Sequence, residues 1–202
     1  MTTPFEQLAT DLTDQGYAVY DHFLTPDQVQ LLRQRLSQRY SEGDFKQAGI
    51  GSATEQQVAQ QIRGDQIVWL DDATPDPAEQ LFLEQVSALS QYLNRRCFLG
   101  IRGREFHFAK YPVGTFYKRH LDAFQRKKGR ILSVICYLNE DWQPNDGGEL
   151  AIYLPQADGS ETTLRILPIA GRVVCFESDK LEHEVLPTQR ERLSVTGWLL
   201  DR

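Results

Sequence analysis

The sequence predicts an α+β fold that is mainly β: a double-stranded β-helix, or jelly roll, with supporting helices on its N-terminal side. Three observations carry this. Helical spacing of apolar residues is confined to the first hundred positions. From Glu105 onward short runs rich in β-branched and aromatic residues take over. Turn residues separate those runs at Asn145-Asp146-Gly147-Gly148, Asp158-Gly159 and Ala170-Gly171. No internal repeat is visible in the chain.

Taken in order, Phe5 to Asp14 forms a short amphipathic helix ending near Gly16, and Tyr17–Tyr20 a short strand. Thr25-Pro26-Asp27 starts a second helix, with Thr25 as N-cap and Pro26 in the first turn. Val29, Leu32 and Leu36 keep helical spacing to about Tyr40. Ser41 to Gln61 is polar and carries Gly43, Gly49 and Gly51, which predicts a long mobile loop with one short helical stretch at Glu55–Gln60. Pro77 to Asn94 is a second long helix, with Leu81, Val86, Leu89 and Leu93 inward. Strands follow at Phe106–Tyr111, Arg130–Leu138, Glu149–Leu154, Thr162–Ile166, Arg172–Glu177, His183–Leu186 and Arg192–Leu200.

At 202 residues the expectation is one domain over 1–202. Residues 1–100 are its helical support and mobile loop, and 101–202 its jelly-roll core and active site. The balance of 22 basic against 28 acidic residues, net −6, argues against nucleic acid bound through bulk charge. Arg126-Lys127-Lys128 is a local exception, read either as a solvated turn or as a contact for an acidic or carbonyl-rich partner loop. Cys97, Cys136 and Cys175 show neither zinc spacing nor a disulfide framework, and Cys136 and Cys175 lie in apolar runs as buried, inert thiols. The first residues lack a basic and apolar leader, and no apolar run is long enough to span a bilayer. A soluble, cytoplasmic monomer without membrane or nucleic-acid partners is expected.

The chemistry concentrates at His120-Leu121-Asp122, with His183 61 residues beyond Asp122 and Arg192 nine further on. Two imidazoles and one carboxylate suit non-haem Fe(II), since they bind one face of the metal and leave the other open. His120 and Asp122, two apart on an extended segment, point the same way. Alone, this pattern equally suits a surface pair. Arg192 is a fixed cation that fits a small dicarboxylate held bidentately. Parity puts Arg192, Ser194, Thr196 and Trp198 on one strand face, Ser133, Ile135 and Tyr137 on another, and Glu105, His107, Ala109 and Tyr111 on a third. Polar residues facing inward are costly unless they meet a ligand or one another, so these faces predict a ligand cavity.

The run from Ile62-Arg63-Gly64-Asp65-x-x-x-Trp69 through Tyr111-Pro112-x-Gly114-x-x-Tyr117-x-x-His120-x-Asp122, Gly129-Arg130 and Cys136-Tyr137-Leu138-Asn139 is distinctive. It continues through Asp141-Trp142, Gly147-Gly148-Glu149-Leu150, Ser178-Asp179 and His183-Glu184-Val185-Leu186-Pro187 to Arg192-x-x-x-Thr196-x-Trp198. It closely resembles the prolyl-hydroxylase domain family of 2-oxoglutarate, Fe(II)-dependent oxygenases, most of all the oxygen-sensing branch and its bacterial relatives. The resemblance implies the jelly-roll fold, Fe(II) on His120, Asp122 and His183, and the distal carboxylate of 2-oxoglutarate on Arg192 and Tyr137. It also implies Tyr111, Thr196, Leu150 and Val185 as further pocket lining, although core packing explains Leu150 and Val185 equally well. Asp65, Arg130 and Trp198 border the substrate groove in this reading. His107 either supports the site or only packs.

The implied activity is a protein prolyl 4-hydroxylase using Fe(II), 2-oxoglutarate and O2, with ascorbate added to that set. The compact chain, ending just past its last strand, looks like a bacterial member, for which the implied partner is elongation factor Tu; in animals it is hypoxia-inducible factor. Asp122 stands where a halide-binding variant would lack a carboxylate. The rival readings are the same chemistry on another side chain, a free amino acid or a small molecule; a sensor that binds metal and 2-oxoglutarate without turnover; and a jelly-roll binding module with no metal dependence.

Overall fold

The computed structural model describes residues 3–49, 61–123 and 129–202. Helix α1 (Pro4–Gln15) is capped by Thr3, whose hydroxyl accepts the Glu6 N–H, and closes on Gly16 in the left-handed conformation. Strand β1 (Tyr17–Tyr20) follows directly. Helix α2 (Pro26–Ser41) begins with a reciprocal capping box between Thr25 and Gln28. Helix α3 (Pro77–Cys97) starts where Asp76 accepts two backbone N–H groups. It runs three residues past the expected Asn94, because no glycine or proline stops it there and Arg95 and Arg96 suit a helix C-terminus.

Four more strands precede Asp122: β2 (Lys46–Gln47), β3 (Gln66–Trp69), the long β4 (Gly103–Tyr111) and β5 (Tyr117–His120). The loop expected over 41–61 is therefore corrected at its start, where β2 pairs with β3. The helical stretch expected at Glu55–Gln60 and the basic run Arg126-Lys127-Lys128 lie outside the described residues. β3 and β5 are also new to the structure; in β5, Lys118-Arg119-His120 carries no apolar side chain to mark a strand. The remaining strands are β6 (Arg130–Tyr137), β7 (Leu150–Pro155), β8 (Glu161–Ile166), β9 (Val173–Glu177), β10 (His183–Val185) and β11 (Arg192–Leu200).

The strands form two antiparallel sheets, ordered β1-β9-β6-β11-β4-β3-β2 and β5-β10-β7-β8. The larger sheet has two apolar faces with different partners. Phe106, Phe108, Leu132, Val134, Leu193, Val195 and Leu199 join the helix residues Leu8, Leu32, Phe82, Val86 and Leu89 in one buried cluster. The opposite face, through Ile135, Tyr137, Val174 and Phe176, meets Leu150, Ile152 and Ile166 of the smaller sheet. The sandwich is thus the jelly roll the sequence predicts, with helices packed outside it. Cys136 and Cys175 are fully buried in the helix-facing layer, and burial pushes the Cys175 thiol up to about 12, which keeps it protonated. Among the described residues no helix is long and apolar enough to cross a membrane.

Gly197 sits mid-strand in β11, between β4 and β6. A Cβ there would overlap the Glu105 carbonyl oxygen and lie 2.5 Å from Cδ1 of Phe106. Gly197→Ala should therefore lower the unfolding free energy by about 1–3 kcal/mol, the usual cost of overpacking. Urea unfolding at neutral pH checks this, and an unchanged midpoint would contradict the close approach.

Candidate active site

The two histidines are brought together by strand register. β10 pairs with β5 so that His183 lies opposite His120, and with β7 so that it lies opposite Ile152. The rings are 4.3 Å apart. Asp122 follows just past the end of β5. Its Oδ1 is 3.5 Å from Nε2 of His120 and its Oδ2 3.5 Å from Nε2 of His183. The ligand-capable atoms of all three residues lie within 4.8 Å of one another.

Each imidazole is held for this task. Nδ1 of His120 is 2.7 Å from the Lys118 carbonyl, and Nδ1 of His183 is 3.2 Å from that of Leu181. A carbonyl only accepts, so Nδ1 carries the proton and Nε2 is left as a donor for a cation. The Tyr117 ring stacks on His120 at 3.6 Å, and the Arg63 guanidinium lies over the Tyr117 ring, 4.3 Å from its centre. Burial drives the His183 imidazole down to about 4, opposed by Asp122. Burial acts to raise the Asp122 carboxyl, but His183, His120 and the Ser133 hydroxyl outweigh it and hold it below the usual carboxylate range. An ionised carboxylate beside a neutral imidazole is the protonation state a divalent cation requires.

Arg192, the first residue of β11, is 1% exposed. Its Nε donates to the Gly148 carbonyl at 2.9 Å, and its guanidinium carbon lies 5.0 Å from the ring centres of both Tyr111 and Tyr137. Gly148 has φ +68°, and a Cβ there would meet Thr188 Oγ1 at 3.0 Å and Arg192 Cδ at 3.2 Å. Among the described residues no carboxylate lies within ion-pair distance of Arg192. Its Nη2 and the Tyr137 hydroxyl are both buried without a hydrogen-bond partner. An unpaired buried cation beside an unpaired buried hydroxyl is costly unless an anion completes the site. Leu150 and Val185 face each other across β7 and β10, both buried, and Val185 packs with Tyr111 and Ala109. Thr196 lies between Ile135 and His107, its hydroxyl 3.0 Å from that of Ser194.

The sequence-predicted groove residues are arranged differently from one another. Asp65 is fully buried and both its oxygens are taken by Arg63, at 2.7 and 2.5 Å, so it fixes Arg63 and is not itself open to a ligand. Arg130 is paired with Glu105, and its guanidinium lies 3.3 Å over the Trp198 ring. His107 packs between Trp69 and Trp198, with ring centres 4.9 and 5.6 Å away. Both His107 Nδ1 and Trp198 Nε1 are buried without a partner. Ser133, Ser178, Tyr117 and Arg63 were assigned no role from sequence. Parity had placed Ser133 on the same face as Tyr137, which was the available signal; the others depend on pairings between distant segments.

The chain is similar to known proteins along its length. The sequence profile of the 2OG-Fe(II) oxygenase superfamily matches residues 106–200. A hypoxia-inducible factor prolyl hydroxylase of Caenorhabditis elegans is 32% identical over 98% of the chain and 28% of that protein. Egl nine homolog 1 of Homo sapiens is 29% identical over 97% of the chain and 46% of that protein. The chain thus spans less than half the length of these two relatives. Among solved structures, a Pseudomonas putida prolyl-4-hydroxylase is 40% identical with a TM-score of 0.86, over 99% of this chain and 100% of that one. A Trichoplax adhaerens prolyl hydroxylase in complex with a hypoxia-inducible factor peptide fragment is 30% identical with a TM-score of 0.85, over 98% and 89%.

Burial also makes His107 a marker of acid stability. It is 2% exposed, and burial, aided by Arg63, pushes its imidazole down from 6.5 to about 3. The folded protein keeps this ring neutral down to that pH, whereas the unfolded chain takes up a proton below 6.5. Stability present at neutral pH is therefore lost as pH falls from 6.5 toward 3. At pH 5 the loss from this group should be about 2 kcal/mol. Urea unfolding at pH 7 and pH 5 should show a smaller loss in His107→Met by that amount. An equal loss in both proteins would refute the assignment, since any contribution from His183 is common to both.

Proposed function

The chain belongs to the prolyl-hydroxylase family of 2-oxoglutarate/Fe(II)-dependent oxygenases, and on that premise we propose that it is a protein prolyl 4-hydroxylase. His120, Asp122 and His183 would hold the iron, and Arg192 with Tyr137 the distal carboxylate of 2-oxoglutarate. The observation that carries this reading is the pair of unsatisfied atoms, Arg192 Nη2 and Tyr137 Oη, at a fully buried cation. A carboxylate supplies the negative charge and the acceptor lone pairs that both lack. Iron and 2-oxoglutarate would, with O2, supply an oxidant that hydroxylates a C–H bond while the keto acid becomes succinate and CO2, one atom of O2 entering the new hydroxyl and the other the succinate.

The chain's own contribution is orientation and exclusion of water. Gly148 aims the Arg192 fork by accepting its Nε–H, and Tyr111 and Tyr137 flank it. Leu150 and Val185 supply a dry apolar wall. The wall toward half-exposed Trp69 is charge-balanced, since Arg130 pairs with Glu105 and Arg63 with Asp65. That neutrality, with the unsatisfied indole N–H of Trp198, supports a neutral peptide group as the occupant, because a prolyl peptide offers a carbonyl acceptor and no N–H. The likeness to the structure bound to a hypoxia-inducible factor peptide supports a protein substrate. The likeness to the Pseudomonas putida enzyme supports a bacterial setting; elongation factor Tu, the partner the sequence resemblance implies, is the first to try.

The test is anaerobic loading with Fe(II) and 2-oxoglutarate, then oxygen plus elongation factor Tu, read by peptide mass spectrometry. One added oxygen atom on a single proline, absent in His120→Ala, is the expected result. Succinate without oxygen transfer would reject this partner and keep the oxygenase; no metal binding and no turnover would reject both. Tyr137→Phe should raise the KM for 2-oxoglutarate about 10-fold or more, the worth of one hydrogen bond to a charged group. An unchanged KM would remove Tyr137 from the carboxylate site.

A further inference from the structure

Asp122 lies in no strand, so β5 alone does not fix where its carboxylate points. Three contacts fix it instead. The Ala123 N–H donates to the Ser178 carbonyl at 3.0 Å, Arg130 Nη1 donates to the Asp122 carbonyl at 3.4 Å, and the Ser133 hydroxyl donates to Asp122 Oδ2 at 2.7 Å. Behind Ser133 stands Ser178, with the two hydroxyl oxygens 2.9 Å apart. Both serines are essentially fully buried.

The direction of these bonds is forced. An ionised carboxylate only accepts, so the one Ser133 proton goes to Asp122. The Ser178 proton must then go to Ser133. Each donor is oriented by the next, and Ser178 is anchored through its own N–H to the Ile131 carbonyl at 3.1 Å. Oδ2 thus receives a charge-assisted hydrogen bond from a hydroxyl whose own lone pair is met by Ser178, while Oδ1 accepts from no hydroxyl among the described residues.

We propose that Ser133 is a positioning residue: with Ser178 behind it, it occupies Oδ2 of Asp122 and commits that carboxylate to a metal through Oδ1 alone. The inference rests on the reading that His120, Asp122 and His183 hold a metal. Its consequence is a coordination position kept vacant, because a carboxylate free to bind through both oxygens would fill one more.

The test uses the whole protein loaded with Mn(II) in place of Fe(II), with water-proton relaxation reporting the exchangeable waters on the metal. Three protein ligands leave three of six positions open, so Ser133→Ala, by admitting the second oxygen, should lower the relaxivity by roughly a third. Ser133→Thr, which keeps the hydroxyl, should match the wild type. Should Ser133→Ala fail to fold, Ser133→Cys, with its weaker donor, is expected to show the same loss of relaxivity in part. Wild-type relaxivity in folded Ser133→Ala or in folded Ser133→Cys would overturn the proposal. Failure of the wild type itself to bind Mn(II) would overturn instead the metal reading on which it rests.

Discussion

Strand β11 is paired along its whole length with β4 and from Ser194 onward with β6, so its register sets both sides of the larger sheet at once. Alternation along it sends Leu193, Val195 and Leu199 into the layer beneath the helices, and Arg192, Ser194, Thr196 and Trp198 into the space between the sheets. A slip by one residue would put a guanidinium among the helix leucines and three aliphatic side chains in the cavity. The apolar demand of the helix layer therefore fixes the polar lining of the site. Helices α1 to α3 touch no candidate ligand atom, yet they hold Arg192 where it is.

Much of this was legible in the sequence, and the limits follow from chain separation. The helix caps at Thr25 and Gly16, the switch to strands after residue 100 and the face-sharing of Ser133 with Tyr137 are local patterns, readable within a few residues. The cross-strand pairing of His120 with His183 is not local: it depends on how β10 docks between β5 and β7, and no spacing encodes that. Asp65 shows the difference sharply. Its position beside Arg63 in the chain was visible, but its complete burial under that arginine was not, since burial is decided by what packs above it. β5 is hidden for a related reason: Lys118-Arg119-His120 has no apolar pattern, and it becomes a strand by pairing with the distant β10.

The site also shows how charge is rationed in a buried space. Arg63 and Arg130 each meet a carboxylate, and both lie over an aromatic ring, Tyr117 and Trp198. Those two cations are balanced and serve as rigid braces. Arg192 alone among these three lacks such a partner, and the imbalance is placed next to another unsatisfied atom instead of being spread over the cavity. Folding without an anion leaves that desolvation cost uncompensated, so occupation of the pocket and stability of the fold are linked.

The acceptor that aims Arg192 is the main-chain carbonyl of Gly148 and no side chain at all. Any codon at position 148 would still encode a carbonyl oxygen there, so a single base change cannot delete that contact, only displace it. A side chain at 148 would cause that displacement, because φ of +68° disfavours any residue but glycine and an added Cβ would press on Thr188 and on Arg192 itself. The aim of the buried cation is thus written into the backbone at one position: the acceptor survives any residue there, but only glycine leaves Arg192 room to meet it.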